Sequence, residues 1–263
     1  MSLVFAAITP HPPILIPAVG KENLAQIEKT EKAMKRLEQD LYAAKPDVVV
    51  IISPHGEVQA DAFVVNLSDD YAINFEAFGD FATKMDVKGE TIMITTAKEK
   101  IANRVPINII SESNLDHGVG VPFFYLGRQL ENIRLLPISF SLLDSQTHLE
   151  FGKALKEAIM DSDKRVAVIA SGDLSHCLTS SAPAPFNPAG KEFDEKLIDL
   201  LKNRDTQSLA NLDHKLVEDA AECGLRSILI LLGILNHINF QTDILSYEAP
   251  FGVGYLVAEL KLE

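Results

Sequence analysis

The chain has 263 residues, of which 47% are hydrophobic and 23% charged, a balance typical of a globular protein with a sizeable core. The formal net charge of −13 argues against nucleic-acid binding, because phosphate backbones require clustered Lys and Arg. Two cysteines, Cys177 and Cys223, are too few for a disulfide framework and are typical of a reducing compartment. Neither a signal peptide nor an apolar run of about 18 residues is found. We therefore expect a cytoplasmic protein that makes no membrane contact.

The first half of the chain alternates between strand and helix patterns. Short apolar or alternating runs predict strands at 3–9, 48–52, 61–67 and 107–110. Apolar positions at helical spacing predict helices at 22–44, 91–103 and 120–130. The first strand, first helix and second strand form a β-α-β unit, which should cross over right-handed. The irregular stretch 57–114 is interpreted as an insertion that covers a substrate.

The second half continues the alternation and ends in strands. Strands are predicted at 135–139, 166–170, 241–247 and 252–260, and helices at 147–160, 190–203, 207–212, 215–221 and 227–235. The loop 179–188 is interpreted either as a mobile lid or as a plain surface connection. We expect one α/β domain over 1–263. Its mostly parallel central sheet would be flanked by helices, as in phosphorylase- or hydrolase-like folds, and closed by antiparallel strands at the C-terminus.

Four of the seven histidines stand in short motifs that each follow a predicted strand. They are His11, His55, His117 and His176. Because loops at the carboxyl ends of parallel strands open into one crevice, we expect these imidazoles to share one edge of the sheet. Four imidazoles at one edge suit a divalent metal with acid–base groups beside it. The pattern therefore predicts an enzyme.

His11 and His55 are the strongest candidates for metal ligands, because each is the first metal-binding side chain after a buried strand. Two neighbouring residues offer a third ligand. Glu222 would complete a two-His, one-carboxylate set, which on Fe(II) leaves positions open for substrate and dioxygen. Cys223 would instead give a softer site that favours zinc or copper. Glu248 is a reserve carboxylate.

His117 and His176 are candidates for acid–base catalysis, since a neutral imidazole can take up and return protons near neutral pH. Asp173 is a candidate to orient His176, although the sequence does not show which histidine its carboxylate reaches; a simple turn cap is the structural alternative. No role is assigned to the three histidines in helical, solvated-looking contexts, His148, His214 and His237.

Several common catalytic signatures are missing from the sequence. The glycines at 118–121 do not form a dinucleotide-binding Gly-x-Gly-x-x-Gly motif, and there is no P-loop. Ser171 does not stand in a Gly-x-Ser-x-Gly elbow, which argues against a serine hydrolase. The Cys-x-x-Cys and His-Glu-x-x-His zinc signatures are also absent.

The histidine motifs, taken together and in order, resemble those of the class III extradiol ring-cleavage dioxygenase superfamily. The chain is particularly similar to the Memo-like branch, the AmmeMemoRadiSam system protein B group. Each motif alone is weak, but the ordered set is fairly specific and covers nearly the whole chain. The motifs are Pro10-His11-Pro12, Ser53-Pro54-His55-Gly56, Leu115-Asp116-His117-Gly118-Val119-Gly120-Val121-Pro122, Ser171-Gly172-Asp173-Leu174-Ser175-His176 and Glu222-Cys223-Gly224.

The resemblance implies a non-haem Fe(II) enzyme that cleaves a catechol or related aromatic ring with dioxygen. It implies that His11, His55 and a carboxylate hold the iron, and that His117 and His176 act as acid–base residues around the bound diol. Memo-like relatives have a cysteine near the third position, so Glu222 and Cys223 both stay open. The alternative is a Memo-like protein that binds Zn(II) or Cu and has a redox or partner-binding role. A homodimer is expected on base rates.

Overall fold

The computed structural model describes residues 2–263, and its ten strands lie in one mixed sheet. The strands are β1 (Leu3–Thr9), β2 (Val48–Ser53), β3 (Phe63–Asn66), β4 (Asp70–Phe75), β5 (Asp80–Gly89), β6 (Ile107–Ile110), β7 (Arg134–Ser139), β8 (Val166–Ser171), β9 (Phe240–Glu248) and β10 (Tyr255–Leu262). The helices are α1 (Pro17–Gly20), α2 (Glu28–Ala44), α3 (Ile92–Ala102), α4 (His117–Leu126), α5 (Ser145–Asp161), α6 (Ala189–Lys202), α7 (Thr206–Ala210), α8 (His214–Ala220) and α9 (Leu225–Ile234).

Parallel strands form the centre of the sheet, as the sequence predicts. The order along the sheet is β4-β5-β7-β2-β8-β1-β10-β9, and β3 joins it by pairing with β6 and β7. Neighbours from β7 to β1 are parallel, whereas β10 pairs antiparallel with both β1 and β9. The α/β fold with a closing antiparallel pair at the C-terminus is therefore confirmed.

Helices cover both faces of the sheet, and the alternating side chains of β2 show how. Val48, Val50 and Ile52 belong to the core on the side of α3, α5 and α9. Val49 and Ile51 belong to the core on the side of α2 and α4. Because successive strand side chains point to opposite faces, a strand without polar residues is required wherever both faces are covered.

The stretch 57–114, whose sequence is irregular, adds the strands β3 to β6 to the sheet. The hairpin of β4 and β5 was not predicted, and it extends the sheet because β5 pairs in parallel with β7. Tyr71, Ile73 and Phe75 alternate along β4 and are buried, so this strand has the period of two that defines a half-covered edge. Strands β3 and β6 pair with each other beside β7.

Helix α4 begins earlier than its apolar pattern predicts, at His117 instead of residue 120. The carboxylate of Asp116 is the reason, because it caps the helix by accepting a hydrogen bond from the Val119 backbone N–H. The prediction followed the apolar residues and missed this cap. As a result, His117 lies in the first turn of a helix that starts at the edge of the sheet.

Two glycines bring the segment after β8 into contact with the segment before α9. A Cβ atom on Gly172 would lie only 2.2 Å from the Cα of Gly224. With both side chains absent, the backbone N–H of Cys223 donates to the carbonyl of Asp173 at 3.2 Å. Close backbone contact of this kind is a role that only glycine can fill.

We expect the two glycines to differ sharply in their tolerance of a methyl group. Gly172→Ala should destabilise the protein by about 3 kcal/mol, at the upper end of the range for overpacked cores, because the new Cβ meets backbone that cannot turn away. Gly224→Ala is the matched control: its Cβ would find its nearest neighbour at 3.1 Å, so the cost should be roughly 1 kcal/mol. Urea unfolding of both variants measures the difference, and equal losses would contradict the proposed contact.

Asp194 links α6 to two other parts of the molecule by hydrogen bonds. Its buried carboxylate accepts hydrogen bonds from the Ser175 backbone N–H at 2.9 Å and from the Tyr247 hydroxyl at 2.6 Å. Burial opposes the charged form and raises the pKa of Asp194 to about 6. The folded protein therefore binds the Asp194 proton more tightly than the unfolded chain does.

This difference in proton binding predicts a pH-dependent stability. The contribution of Asp194 is fully present below the pKa of the unfolded chain and is lost as pH rises through about 6, by up to about 3 kcal/mol. In urea unfolding between pH 4 and 7, the wild type should therefore lose stability relative to Asp194→Asn. Asp205→Asn is the control, because Asp205 caps α7 and has a lowered pKa, so this substitution should leave the trend in place. An Asp194→Asn variant with the wild-type pH profile would exclude Asp194 as the source.

Candidate metal centre

His11 and His55 converge at the carboxyl ends of two strands that share a neighbour. His11 follows β1 and His55 follows β2, and both strands pair in parallel with β8. The Nε2 atoms of the two rings lie 3.0 Å apart, with the ring planes nearly perpendicular at 86°. His11 is 1% exposed, whereas His55 is open to solvent. One ion with bonds of about 2 Å could reach both nitrogens.

Cys223 supplies a third donor beside the two rings. Its Sγ atom lies 3.7 Å from His11 Nε2. The donor atoms of His11, His55 and Cys223 all lie within 4.8 Å of one another. The Sγ atom also accepts a hydrogen bond from the Asp173 backbone N–H at 3.3 Å, which fixes its position. Two imidazoles and a thiol form a donor set that fits a borderline or soft divalent metal.

Glu222, the carboxylate favoured from the sequence, points elsewhere. Its carboxylate accepts a hydrogen bond from the Leu225 backbone N–H at 2.6 Å, at the start of α9. It also lines a separate cavity of about 590 Å³ together with Arg226. Burial raises the pKa of Glu222 to about 7. The geometry therefore brings the sequence alternative, Cys223, to the rings in place of its neighbour.

The buried carboxylate of Asp173 is held against His11. Its Oδ1 atom accepts a hydrogen bond from the His11 backbone N–H at 2.9 Å, and its Oδ2 atom lies 3.9 Å from His11 Nε2. Burial raises the pKa of Asp173 to about 7. Asp173 was a candidate to orient His176, but the histidine that its carboxylate contacts is His11, 162 residues away in the sequence.

Burial keeps the donors of this centre uncharged. Desolvation, helped by the repulsion that protonated His11 would meet from protonated His55, His117 and His176, lowers the pKa of His11 well below its ordinary value. Burial likewise raises the pKa of the Cys223 thiol. At neutral pH His11 is therefore a neutral imidazole with a free lone pair, which is the form that binds metals.

His117 lies directly against the candidate ligands. Its ring stacks on that of His55 with centroids 4.3 Å apart and lies 5.4 Å from the ring of His11. The ring of Phe78, in the short turn between β4 and β5, also packs against His117, with centroids 5.2 Å apart and an interplanar angle of 67°. Burial lowers the pKa of His117 to about 4, so this imidazole is neutral at pH 7. It is available as a proton acceptor beside the centre.

His176 is the fourth imidazole, and burial lowers its pKa as well. Its backbone N–H donates to the carbonyl of Ala220 at 3.1 Å, close to Cys223 in sequence. Its Nδ1 atom is buried and has no hydrogen-bond partner within residues 2–263. A buried polar atom without a partner is costly, which makes this Nδ1 atom a candidate contact for a bound molecule.

Two further residues considered from the sequence have structural roles. His148 was expected to be solvated, but it is fully buried, and its ring nitrogens lie 2.8 and 3.1 Å from the carbonyls of Asp144 and Ser141. The carboxylate of Glu248 accepts two hydrogen bonds from Thr30 near the start of α2. Neither residue belongs to the cluster of donor atoms around His11.

A cavity of about 430 Å³ opens beside His55. This volume lies in the range of roughly 300–1,000 Å³ that small-molecule sites occupy. Asp116, Glu112 and Asn114 contribute polar lining, and Ile138 contributes apolar lining. The cavity is therefore large enough for a molecule of one aromatic ring beside His55, the one site histidine that lines it. Between residues 2 and 263, none of the helices has the length and hydropathy of a membrane span.

Comparisons with known proteins agree with this architecture. Residues 5–258 match the family model described as the catalytic LigB subunit of aromatic ring-opening dioxygenase. The chain is 32% identical to protein CA_C1420 of Clostridium acetobutylicum, an alignment that covers 99% of this chain and 58% of that protein. The chain thus spans a little over half the length of this relative.

Two shorter relatives and one solved structure extend the likeness. A MEMO1 family protein of Methanosarcina mazei is 25% identical, over 82% of this chain and 84% of that protein. The 2-aminophenol 1,6-dioxygenase beta subunit of a Pseudomonas species is 22% identical, over 99% of this chain and 94% of that relative. An uncharacterized protein from Escherichia coli shares the fold, with a TM-score of 0.69 at 15% identity over 98% of this chain and 99% of that one. The chain therefore belongs to the LigB family, and its relatives include MEMO1 family proteins.

Proposed function

We propose that this protein is a metal-dependent oxygenase that opens an aromatic diol with dioxygen, at a centre formed by His11, His55 and Cys223. The observation that carries the proposal is the convergence of three donor atoms from distant parts of the chain within 4.8 Å. Membership of a family described by aromatic ring opening supports the reaction class. The substrate would be a catechol or a related ortho-substituted phenol, as the name of the Pseudomonas relative indicates for that protein.

The neutral imidazoles around the centre supply the acid–base chemistry in this proposal. His117, which burial keeps unprotonated, would accept a proton from a diol hydroxyl. The unpartnered Nδ1 of His176 would hold the second hydroxyl or the ring-opened product. The Asp173 carboxylate would keep His11 in place by accepting the hydrogen bond from the His11 backbone N–H. When bound, Fe(II) would supply the electron transfer that a reaction between dioxygen and an aromatic ring requires.

Ligand identity is tested first by metal binding. We expect Cys223→Ser to weaken binding of Fe(II) or Zn(II) by at least about 100-fold, more than the loss of an outer-shell partner costs, because a direct donor is removed. Glu222→Gln should leave the affinity unchanged, since its carboxylate binds the Leu225 N–H. Anaerobic titration with each metal, with elemental analysis of the purified protein, gives the affinities.

Cys177→Ser is the matched control for that experiment. Cys177 is buried, and its Sγ contacts the carbonyls of Asp219 and Ala220, so its loss should not change metal binding. The opposite pattern, with Glu222→Gln weakening the metal and Cys223→Ser binding normally, would restore the two-His, one-carboxylate set.

The reaction is tested by turnover. Protein reconstituted with Fe(II) without oxygen should, once oxygen is admitted, consume dioxygen with a panel of catechols and 2-aminophenols and form ring-opened products seen by absorbance. His117→Ala should lower turnover by roughly 10²- to 10⁴-fold, the usual loss for a general base, while metal affinity is retained. The absence of turnover on every substrate, with metal shown to be bound, would overturn the proposed reaction.

The second candidate function is metal binding with a redox or partner-binding role and no ring cleavage. The presence of Cys223 favours it, because a thiolate makes the centre softer than a carboxylate would and suits Cu or Zn(II). The similarity to MEMO1 family proteins points in the same direction. Copper or zinc in the protein as purified, together with inactivity on aromatic diols, would select this candidate. Under either function, we propose one domain over 1–263 that acts in the cytoplasm as a homodimer.

A further inference from the structure

Ser171 stands between the ring of His11 and the start of α4. It is the last residue of β8, is fully buried and pairs in register with Thr9, two residues before His11. Its Oγ atom lies 2.9 Å from His11 Nδ1 and 2.5 Å from the backbone carbonyl oxygen of Gly118. The hydroxyl therefore contacts the ring nitrogen that faces away from His55 and Cys223.

The direction of these two hydrogen bonds follows from the number of protons available. A carbonyl oxygen can only accept, and a serine hydroxyl has one proton to donate. Ser171 must therefore give its proton to Gly118 and accept a hydrogen bond from His11 Nδ1. The His11 proton is then on Nδ1, and the lone pair is on Nε2. That lone pair points to the place where His55 Nε2 and Cys223 Sγ lie, at 3.0 and 3.7 Å.

We propose that Ser171 is a positioning residue of the metal centre, which holds His11 in the Nδ1–H tautomer and at a fixed ring angle before any metal arrives. The inference rests on the proposed metal-binding function. In metal proteins, the second ring nitrogen of a ligating histidine usually donates to an oxygen that fixes its tautomer in this way. Here the oxygen is a hydroxyl whose own direction is fixed by a backbone carbonyl.

The two histidine ligands are held to different degrees. Apart from its contact with His11 Nε2, the His55 ring makes no other hydrogen bond within residues 2–263, and its side chain is exposed. His55 can therefore exchange its ring proton with water and turn as a metal binds. His11 is buried and held at two points: its ring Nδ1 contacts the Ser171 hydroxyl, and its backbone N–H donates to the Asp173 carboxylate. The preorganised part of the centre is thus His11, and Ser171 accounts for its orientation.

The tautomer is measured without any metal. In metal-free protein labelled with ¹⁵N at histidine, long-range proton–nitrogen NMR correlations distinguish Nδ1–H from Nε2–H for each ring, and the His11→Gln spectrum assigns the His11 signals. We expect His11 in the wild type to be the Nδ1–H tautomer. In Ser171→Ala, Nδ1 loses its acceptor, and the Nε2–H form should become populated. An Nε2–H tautomer in the wild type overturns the proposal even if the variant does not fold.

Metal affinity is the second measurement, with Zn(II) alone as the probe and a competing chelator. Ser171→Ala should bind Zn(II) about 10- to 100-fold more weakly than the wild type, the usual effect of removing such a partner. Ser227→Ala is the matched control, because Ser227 in α9 is also fully buried and its Oγ has no hydrogen-bond partner within residues 2–263. Its affinity and its His11 tautomer should be those of the wild type.

The outcomes separate this proposal from the function on which it rests. A folded Ser171→Ala protein with wild-type tautomer and affinity shows that Ser171 serves only the Gly118 carbonyl, and the proposal fails. A wild type that binds no Zn(II) and no Fe(II) refutes the metal function and, with it, the positioning role. Weaker binding in Ser171→Ala with the expected tautomer change supports both.

Discussion

The site depends on the parallel pairing of β1 and β2 with the same strand, β8. This pairing places three buried strand ends at one edge of the sheet, so that His11, His55 and Asp173 meet although the chain separates them widely. The alignment leaves little freedom. A register shift of two residues moves a strand end by about 7 Å, which is large compared with the 3.0 Å between the two Nε2 atoms.

Burial at this edge of the sheet determines the protonation state of the side chains that carry the candidate donor atoms. It lowers the pKa of His11 and His117 and raises the pKa of the Cys223 thiol, so that the centre without a metal is a group of neutral side chains. Neutral groups are far cheaper to bury than charged ones, provided that their hydrogen bonds are satisfied. A bound cation reverses the balance at the thiol, because its charge stabilises the thiolate.

Family membership alone does not decide which chemistry this centre performs, because a shared fold carries many reactions. The donors themselves decide it. A thiol near two imidazoles differs from the carboxylate of a two-His, one-carboxylate iron site in softness and in charge. The close contact between Gly172 and Gly224 lies next to the hydrogen bond from the Cys223 backbone N–H to the Asp173 carbonyl, so the two glycines help to place Cys223 beside His11.

The amino-acid order was enough to predict the alternation of strands and helices, the parallel centre of the sheet and the four histidines that follow strands, because hydrophobic period and strand ends are local properties. Only the tertiary structure distinguished Cys223 from Glu222, since neighbouring residues in a turn point in different directions and spacing along the chain carries no orientation. Two other features could not be predicted from the sequence: the burial of His148, and the hydrogen bond that Ser171 donates to a carbonyl 53 residues away. Both depend on which distant segments of the chain pack together, and local sequence patterns do not specify those contacts.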